Sequence, residues 1–179
     1  MKKILVVVDM QNDFITGCLG NDDCRAAVPA VVDVISSGEY DHVYVTMDTH
    51  GENYLDTQEG SKLPVVHCVS GTDGWKVNSD VMAAVEGKYN KADITTVTKG
   101  SFGSIELGNM IKEYCGAEEA EVDFVGVCTG ICVISNVMIL KAFMPEAKVC
   151  VIERACACVT KESHNTAIAA MRTAQVDII

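Results

Sequence analysis

At 179 residues, with 14 basic against 25 acidic side chains and a formal charge of −11, the chain lacks the clustered cations that a nucleic-acid or anionic membrane surface requires. An apolar content of 49% excludes intrinsic disorder and suits one domain over residues 1–179. Nine cysteines, an odd number in no small-scaffold spacing, fit reduced thiols better than a secreted disulfide framework.

Met1–Val8 begins like a signal peptide, but Asp9 ends the apolar run and no small-residue cleavage site follows. No stretch approaches the ~20 apolar residues of a membrane span, so the expected location is the cytoplasm. In chain order, Ile4–Val8 is a continuous apolar run, the pattern of a strand covered on both faces. Ala26–Ser36 reads as a helix, and the next strand, His42–Met47, leads into Asp48-Thr49-His50. From Asp48 to about Trp75 the chain is polar, carries Gly51, Gly60, Gly71 and Gly74, and has almost no periodicity. A loop this long inside an α/β domain is usually functional. Asn78–Val85 reads as a helix, Ile94–Val97 as a strand leading to Lys99, and Ile105–Cys115 as a helix. The strand Val122–Val127 runs into Cys128-Thr129-Gly130-Ile131-Cys132, which opens a helix over Ile131–Phe143. Strand Val149–Ile152, helix Glu162–Ala174 behind a Thr160 N-cap, and strand Val176–Ile179 complete the order. The alternation predicts an α/β fold: a three-layer α/β/α sandwich around a six-stranded parallel sheet, Rossmann-like.

Ligands of such sheets bind beyond the carboxyl ends of the strands, so the residues that follow the apolar runs are the candidates. Asp9, Asp48, His50, Lys99 and Cys132 all follow predicted strands. A cysteine in the first turn of a helix feels the positive end of its dipole, so the pKa of Cys132 is expected to fall. The N–H groups of that turn can also hold an oxyanion. Cys115 and Cys150 read as small core residues, and His42 and His164 as structural or exposed. Asp48 and His50, two apart on an extended segment, face the same way. With His67 returning from the polar loop they form a candidate site for zinc, iron or manganese, with Cys68 as an alternative ligand.

These segments resemble the isochorismatase-like cysteine hydrolases over essentially the whole chain, and among them the nicotinamidases. Val7-Val8-Asp9-Met10-Gln11-Asn12-Asp13-Phe14 is similar to the family's opening motif, Thr98-Lys99-Gly100-Ser101-Phe102 to its lysine segment, and Gly126–Val133 to its nucleophile motif. Glu153-Arg154-Ala155-Cys156-Ala157 and Glu162-Ser163-His164 match its C-terminal pattern. The resemblance implies catalytic roles for Asp9, Lys99 and Cys132: the cysteine attacks, the aspartate carries its proton to the leaving amine, and the lysine holds both charges in register. It implies an oxyanion hole from the backbone N–H groups of Cys128 and Cys132, and a cis peptide before Cys128. Asp48, His50 and His67 match the nicotinamidase metal triad, which implies one divalent metal, zinc first, that binds the ring nitrogen of a small-molecule amide. Phe14 and Val127 are expected in the substrate pocket, and family members tend to form homo-oligomers. Nicotinamidases usually carry an aromatic residue shortly before the position of His67. Here Leu63-Pro64-Val65-Val66 stands there, so Phe14 or Trp75 is expected to supply the ring-stacking wall.

The implied reaction is hydrolysis of nicotinamide through a thioester on Cys132. The alternatives are a family hydrolase acting on another small amide, ureido compound or vinyl ether, and a ligand-binding or Cys128–Cys132 redox module without hydrolase activity. No glycine-rich phosphate loop follows the first strand, which argues against a nucleotide site.

Overall fold

The computed structural model describes residues 1–179. Six strands form one parallel sheet, ordered β3-β2-β1-β4-β5-β6. They are β1 (Lys2–Val8), β2 (His42–Asp48), β3 (Ile94–Lys99), β4 (Ala120–Val127), β5 (Lys148–Ala157) and β6 (Asp177–Ile178). The helices are α1 (Asn12–Ile15), α2 (Asp22–Ser37), α3 (Gln58–Lys62), α4 (Ser79–Lys88), α5 (Ile105–Cys115), α6 (Ile134–Phe143) and α7 (Lys161–Thr173).

The apolar run of β1 explains the layering. Ile4, Val6 and Val8 pack in one core with Leu107 and Ile111 of α5, Val137 of α6 and Met171 of α7. Leu5 and Val7 point the opposite way into a second core with Val31 and Ile35 of α2 and Val85 of α4. Period-two side chains on a strand covered by helices on both sides give this division. The strand order reverses between β1 and β4, which opens the crevice where such sheets take their ligands.

Several boundaries differ from the sequence reading, each for a local reason. α2 begins at Asp22 rather than Ala26, because the Asn21 side chain accepts the N–H of Cys24 at 2.8 Å and caps the helix four residues earlier. α6 begins at Ile134, and Thr129–Val133 before it forms a wide π turn in which Val133 N–H donates to Cys128 O at 3.1 Å. Cys132 therefore lies in this turn and not in the first turn of an α-helix. β5 runs on to Ala157 because its register against β4 jumps, from Phe124 opposite Val151 to Gly126 opposite Cys156. The polar segment after β2 is not structureless: it holds a 3-10 turn at Tyr54–Asp56 and the short helix α3. Thr160 caps α7 as expected, accepting the N–H of Ser163 at 3.1 Å.

Gly126 is the tightest point of the sheet. Its φ is +116°, and a Cβ there would collide with the carbonyl oxygen of Val8 on the neighbouring strand. Gly126→Ala is expected to cost about 2–4 kcal/mol from strain and displaced backbone. Thermal unfolding followed by circular dichroism should show Tm lowered by on the order of 10 °C; an unchanged Tm would contradict this packing.

Candidate active site

The ends of β1, β2, β3 and β4 bring their terminal residues to one buried cluster. Asp9 leaves β1 with a left-handed φ of +47° and is fully buried. Thr46 Oγ1 donates to its Oδ1 at 2.6 Å and accepts its backbone N–H at 3.1 Å. Lys99, at the end of β3, places Nζ 2.7 Å from Asp9 Oδ2 and 3.5 Å from Asp48 Oδ1. The same ammonium lies 3.6 Å from Cys132 Sγ and donates to Ser101 O at 3.1 Å. Cys132, only 5% exposed, lies close enough to Asp9 for the carboxyl group to bear on its ionisation. Asn136 Nδ2 donates to Cys132 O at 2.8 Å and holds the turn from the other side. The peptide between Val127 and Cys128 is cis, as the resemblance implies.

The electrostatics correct one expectation. Burial and then the neighbouring Asp9 push the Cys132 thiol well above its ordinary value, against the pull of Lys99. The turn's polarity does not offset the loss of water, so the resting sulfur is a thiol and not the thiolate that its place in sequence suggested. Burial raises the Asp9 carboxyl above the usual carboxylate range, although Lys99 opposes it. Burial works against the Lys99 charge, but Asp9, Cys132 and Asp48 more than offset it and keep the ammonium protonated. A thiol with a proton to give thus faces a carboxylate raised towards accepting it, beside a fixed cation.

Next to this trio stands a group of four metal-type donors: Asp48, His50, Glu59 and His67. His50 Nε2 is 3.0 Å from Asp48 Oδ2 and 3.7 Å from Glu59 Oε1. His67 Nε2 is 3.5 Å from Asp48 Oδ2 and 3.8 Å from Glu59 Oε1. Ligand atoms at ~2.0–2.2 Å around one tetrahedral ion stand about 3.3 Å apart, so two imidazoles and two carboxylates at these separations fit a divalent cation. His67 Nδ1 lies 2.7 Å from Val65 O; donating its proton there leaves Nε2 unprotonated for an ion. Burial disfavours the Asp48 charge, but His67 beside it and the Lys99 cation hold its carboxyl below the usual range.

Backbone pairing explains why these ligands converge. His50 N–H donates to Cys68 O and Ser70 N–H to His50 O, both at 3.0 Å, so the returning loop lies alongside the end of β2 and delivers His67. Gln11, fully buried, grips Asp48 by its main chain: Oε1 accepts Asp48 N–H at 2.7 Å and Nε2 donates to Asp48 O at 2.9 Å. Nε2 also donates to Trp75 O at 2.8 Å, tying the far end of the loop to the same point. The buried Tyr54 ring packs 4.6 Å from the His50 ring and 4.9 Å from that of His67.

Glu59, Gln11 and Tyr54 are residues that sequence reasoning missed. Glu59 sits in the first turn of α3, whose cap, Thr57 accepting Gly60 N–H at 2.9 Å, was the one legible signal. Cys68, the alternative ligand, contributes no atom to the donor group; its N–H donates to Asp13 Oδ2 at 2.8 Å. His42 lies 2.8 Å from Thr95 Oγ1 and His164 2.8 Å from Thr129 Oγ1, both away from the cluster.

A cavity of about 250 Å³ opens onto both groups. Phe14, Leu19, Leu63, Phe102, Ile131 and Val159 give it an almost wholly apolar wall, with Asp48, Glu59, His67, Cys128 and Cys132 at its polar points. The volume suits one small ring with a single polar group. Phe14 stands 5.5 Å from the His67 ring. Val127 is fully buried and packs in the α2-side core, away from the cavity. Trp75 points its Nε1 at Thr49 Oγ1, 2.9 Å away, and is not part of the wall. No helix of the protein is long and apolar enough to cross a membrane.

A family model described as the isochorismatase domain matches residues 3–179. The nicotinamidase/pyrazinamidase of Mycobacterium tuberculosis is 32% identical over 138 residues, covering 73% of this chain and 74% of that protein. The pyrazinamidase of Pyrococcus horikoshii in complex with zinc superposes with a TM-score of 0.79 at 22% identity, covering 100% of this chain and 99% of the other. A protein from L. infantum in complex with nicotinate gives a TM-score of 0.80 at 21% identity, covering 99% and 92%.

Proposed function

The chain belongs to the isochorismatase family, and from that premise we propose that it is a cysteine amidohydrolase that converts nicotinamide to nicotinate and ammonia. The observation that carries this reading is the buried Asp9–Lys99–Cys132 contact beside a donor group fit for a metal, both facing one small apolar cavity. The nicotinamidase names and the bound nicotinate and zinc of the similar proteins support the substrate class.

The chemistry follows from the groups present. Cys132 passes its proton to Asp9 as the sulfur attacks the carboxamide carbon. Lys99 stays charged between them and favours the thiolate as it forms. Backbone N–H groups of Cys128 and Cys132 receive the oxyanion, each worth about 3 kcal/mol. Asp9 then returns the proton to the departing nitrogen, which leaves as ammonia, and Cys132 keeps the acyl group as a thioester. Water, deprotonated by the same carboxylate, releases nicotinate and restores the thiol. Asp48, His50, Glu59 and His67 would hold a divalent ion, zinc first, with iron and manganese accepting the same donors. Such an ion would offer a Lewis-acid contact to a ring nitrogen. Phe14 and the Leu63 side of the wall flank the ring.

Ammonia release from nicotinamide and pyrazinamide by the purified, metal-analysed protein tests the proposal. Release above background from both is the expected result. No release from protein carrying one metal per chain would overturn nicotinamide as the substrate.

A further inference from the structure

Three of the nine cysteines meet behind the catalytic turn: Cys24 of α2, Cys128 at the end of β4 and Cys158 at the end of β5. β4 and β5 pair in parallel as far as Val127 opposite Ala157, so Cys128 and Cys158 are the next residues across the two strands. Paired strands run ~4.8 Å apart, inside the Cα separation of about 4.4–6.8 Å that a disulfide needs. The Cys128 thiol neighbours those of Cys158 and Cys24 closely enough for each to bear on its ionisation. The Cys158 sulfur also receives the N–H of Gly130 at 3.4 Å. Cys24 is fully buried and turns its thiol to the carbonyl of Cys158, 3.9 Å away. Cys128 borders the catalytic cavity, and Cys158 borders a surface cleft of about 510 Å³ under Val159 and Thr160. Both openings border the pair, although Cys158 itself is only 3% exposed.

We propose that Cys128 and Cys158 form a reversible disulfide when the protein meets a peroxide, and that this bond disables the turn carrying Cys132. The Cys158 thiol is held below the usual thiol range, first by the hydrogen bond from Cys128 and, against burial, by Ser163 and the N–H groups of Gly130 and Val159. It is therefore the sulfur that reacts first. Its thiolate attacks one oxygen of hydrogen peroxide; the O–O bond breaks, hydroxide leaves, and a sulfenic acid forms. The Cys128 sulfur then attacks that of Cys158; the S–S bond forms, the S–O bond breaks, and a second hydroxide leaves. The two thiol protons neutralise both hydroxides. In sum two thiols lose two electrons and the peroxide becomes two waters. A dithiol reductant reverses the change.

The turn depends on both sulfur-bearing residues. Cys128 O accepts the N–H of Ile131 at 3.0 Å and of Val133 at 3.1 Å, and Gly130 N–H hangs on the Cys158 sulfur. Oxidation ties that sulfur to Cys128 and draws Cys128 towards β5, so the residues on either side of Cys132 shift together.

The test treats the full chain with hydrogen peroxide. In Cys132→Ala, where the nucleophile cannot interfere, mass spectrometry of non-reduced peptides is expected to find Cys128 joined to Cys158, with the link lost in dithiothreitol. No link, or a link from Cys128 to Cys24, would overturn the pairing. In the wild type, alkylation of Cys132 by iodoacetamide, which needs no substrate, is expected to slow at least tenfold on oxidation and to recover on reduction. Unchanged Cys132 reactivity in cross-linked protein would overturn the disabling effect. Ammonia release should fall in parallel; that readout alone rests on the proposed function, so an inactive protein leaves the link and alkylation results decisive. Cys158→Ser, whose hydroxyl oxygen can still accept the Gly130 N–H, is expected to keep its basal rate and to resist the peroxide dose that stops the wild type. Equal sensitivity in the folded variant would overturn the proposal.

Discussion

Cys132→Ala is expected to reduce ammonia release by about 10,000-fold or more while the protein still folds. No neighbouring group can replace the nucleophile: Asp9 faces Thr46 and Lys99, and Cys128 lies one turn away with its thiol beside those of Cys24 and Cys158. The fold should tolerate the change, because the Asp9–Lys99 contact at 2.7 Å survives without the sulfur and only one buried atom is lost. Cys132→Ser is the sharper variant. It keeps the shape and the contact with Lys99 but replaces the thiol with a hydroxyl far harder to ionise, so it too should be inactive while binding substrate. Rates measured with each variant, alongside unfolding curves, separate chemistry from folding. Residual activity in Cys132→Ala within tenfold of the wild type would remove this residue as the nucleophile.

The division of labour inside the trio follows from burial more than from residue type. A carboxylate, an ammonium and a thiol in water would titrate independently. Here burial pushes Asp9 and Cys132 towards their neutral forms, while the neighbouring acids keep Lys99 charged. The site therefore stores one mobile proton between Cys132 and Asp9 under a constant positive charge. Raising the Asp9 carboxyl favours that transfer, raising the thiol opposes it, and the cation facing both supports whichever of them carries the negative charge. A nearby histidine is unnecessary for this arrangement, and the two imidazoles closest to it serve the donor group instead.

Much of this was legible in the chain because β-branched apolar runs leave few choices. Ile4–Val8, His42–Met47 and Val122–Val127 each fell inside an observed strand, and the residues that follow them, Asp9, Asp48 and Cys128, converge as parallel strand ends must. What escaped was set by side-chain hydrogen bonds rather than periodicity. Asn21 moved the start of α2 by four residues with a single cap, and Thr57 built a short helix in a segment without pattern and so placed Glu59. The β5 extension depends on a register jump at Gly126 that no alternation announces. The ionisation of Cys132 was misread because position near a helix start is visible in sequence, whereas burial beside Asp9 is not. The Cys128–Cys158 pair was hidden for the same reason, since it rests on which strands are neighbours.

The second large effect concerns the donor group. His67→Ala and Asp48→Ala are each expected to weaken metal binding by more than about 100-fold, since even an outer partner of a ligand is worth 10–100-fold. Purified from metal-supplemented medium, both should carry far less than one metal per chain by elemental analysis. Glu59 is the informative case. It is the most exposed of the four donors, half-buried where Asp48, His50 and His67 are buried, and it comes from a five-residue helix rather than a strand end. Glu59→Gln keeps its size and an oxygen but removes the charge, so a loss of about 10–100-fold is expected, with the ion still bound at high metal concentration. The ranking separates a four-donor site from a triad. If Glu59→Gln binds as tightly as the wild type, the ion is held by Asp48, His50 and His67 alone and Glu59 only borders the cavity. If His67→Ala also retains a full equivalent, these residues are not the metal site. Removing the ion from the wild type with a chelator should leave the strands folded, because Gln11 fixes Asp48 through its backbone and the His50–Cys68 pairing fixes the loop without it. The stripped protein is then expected to regain its activity when zinc is returned.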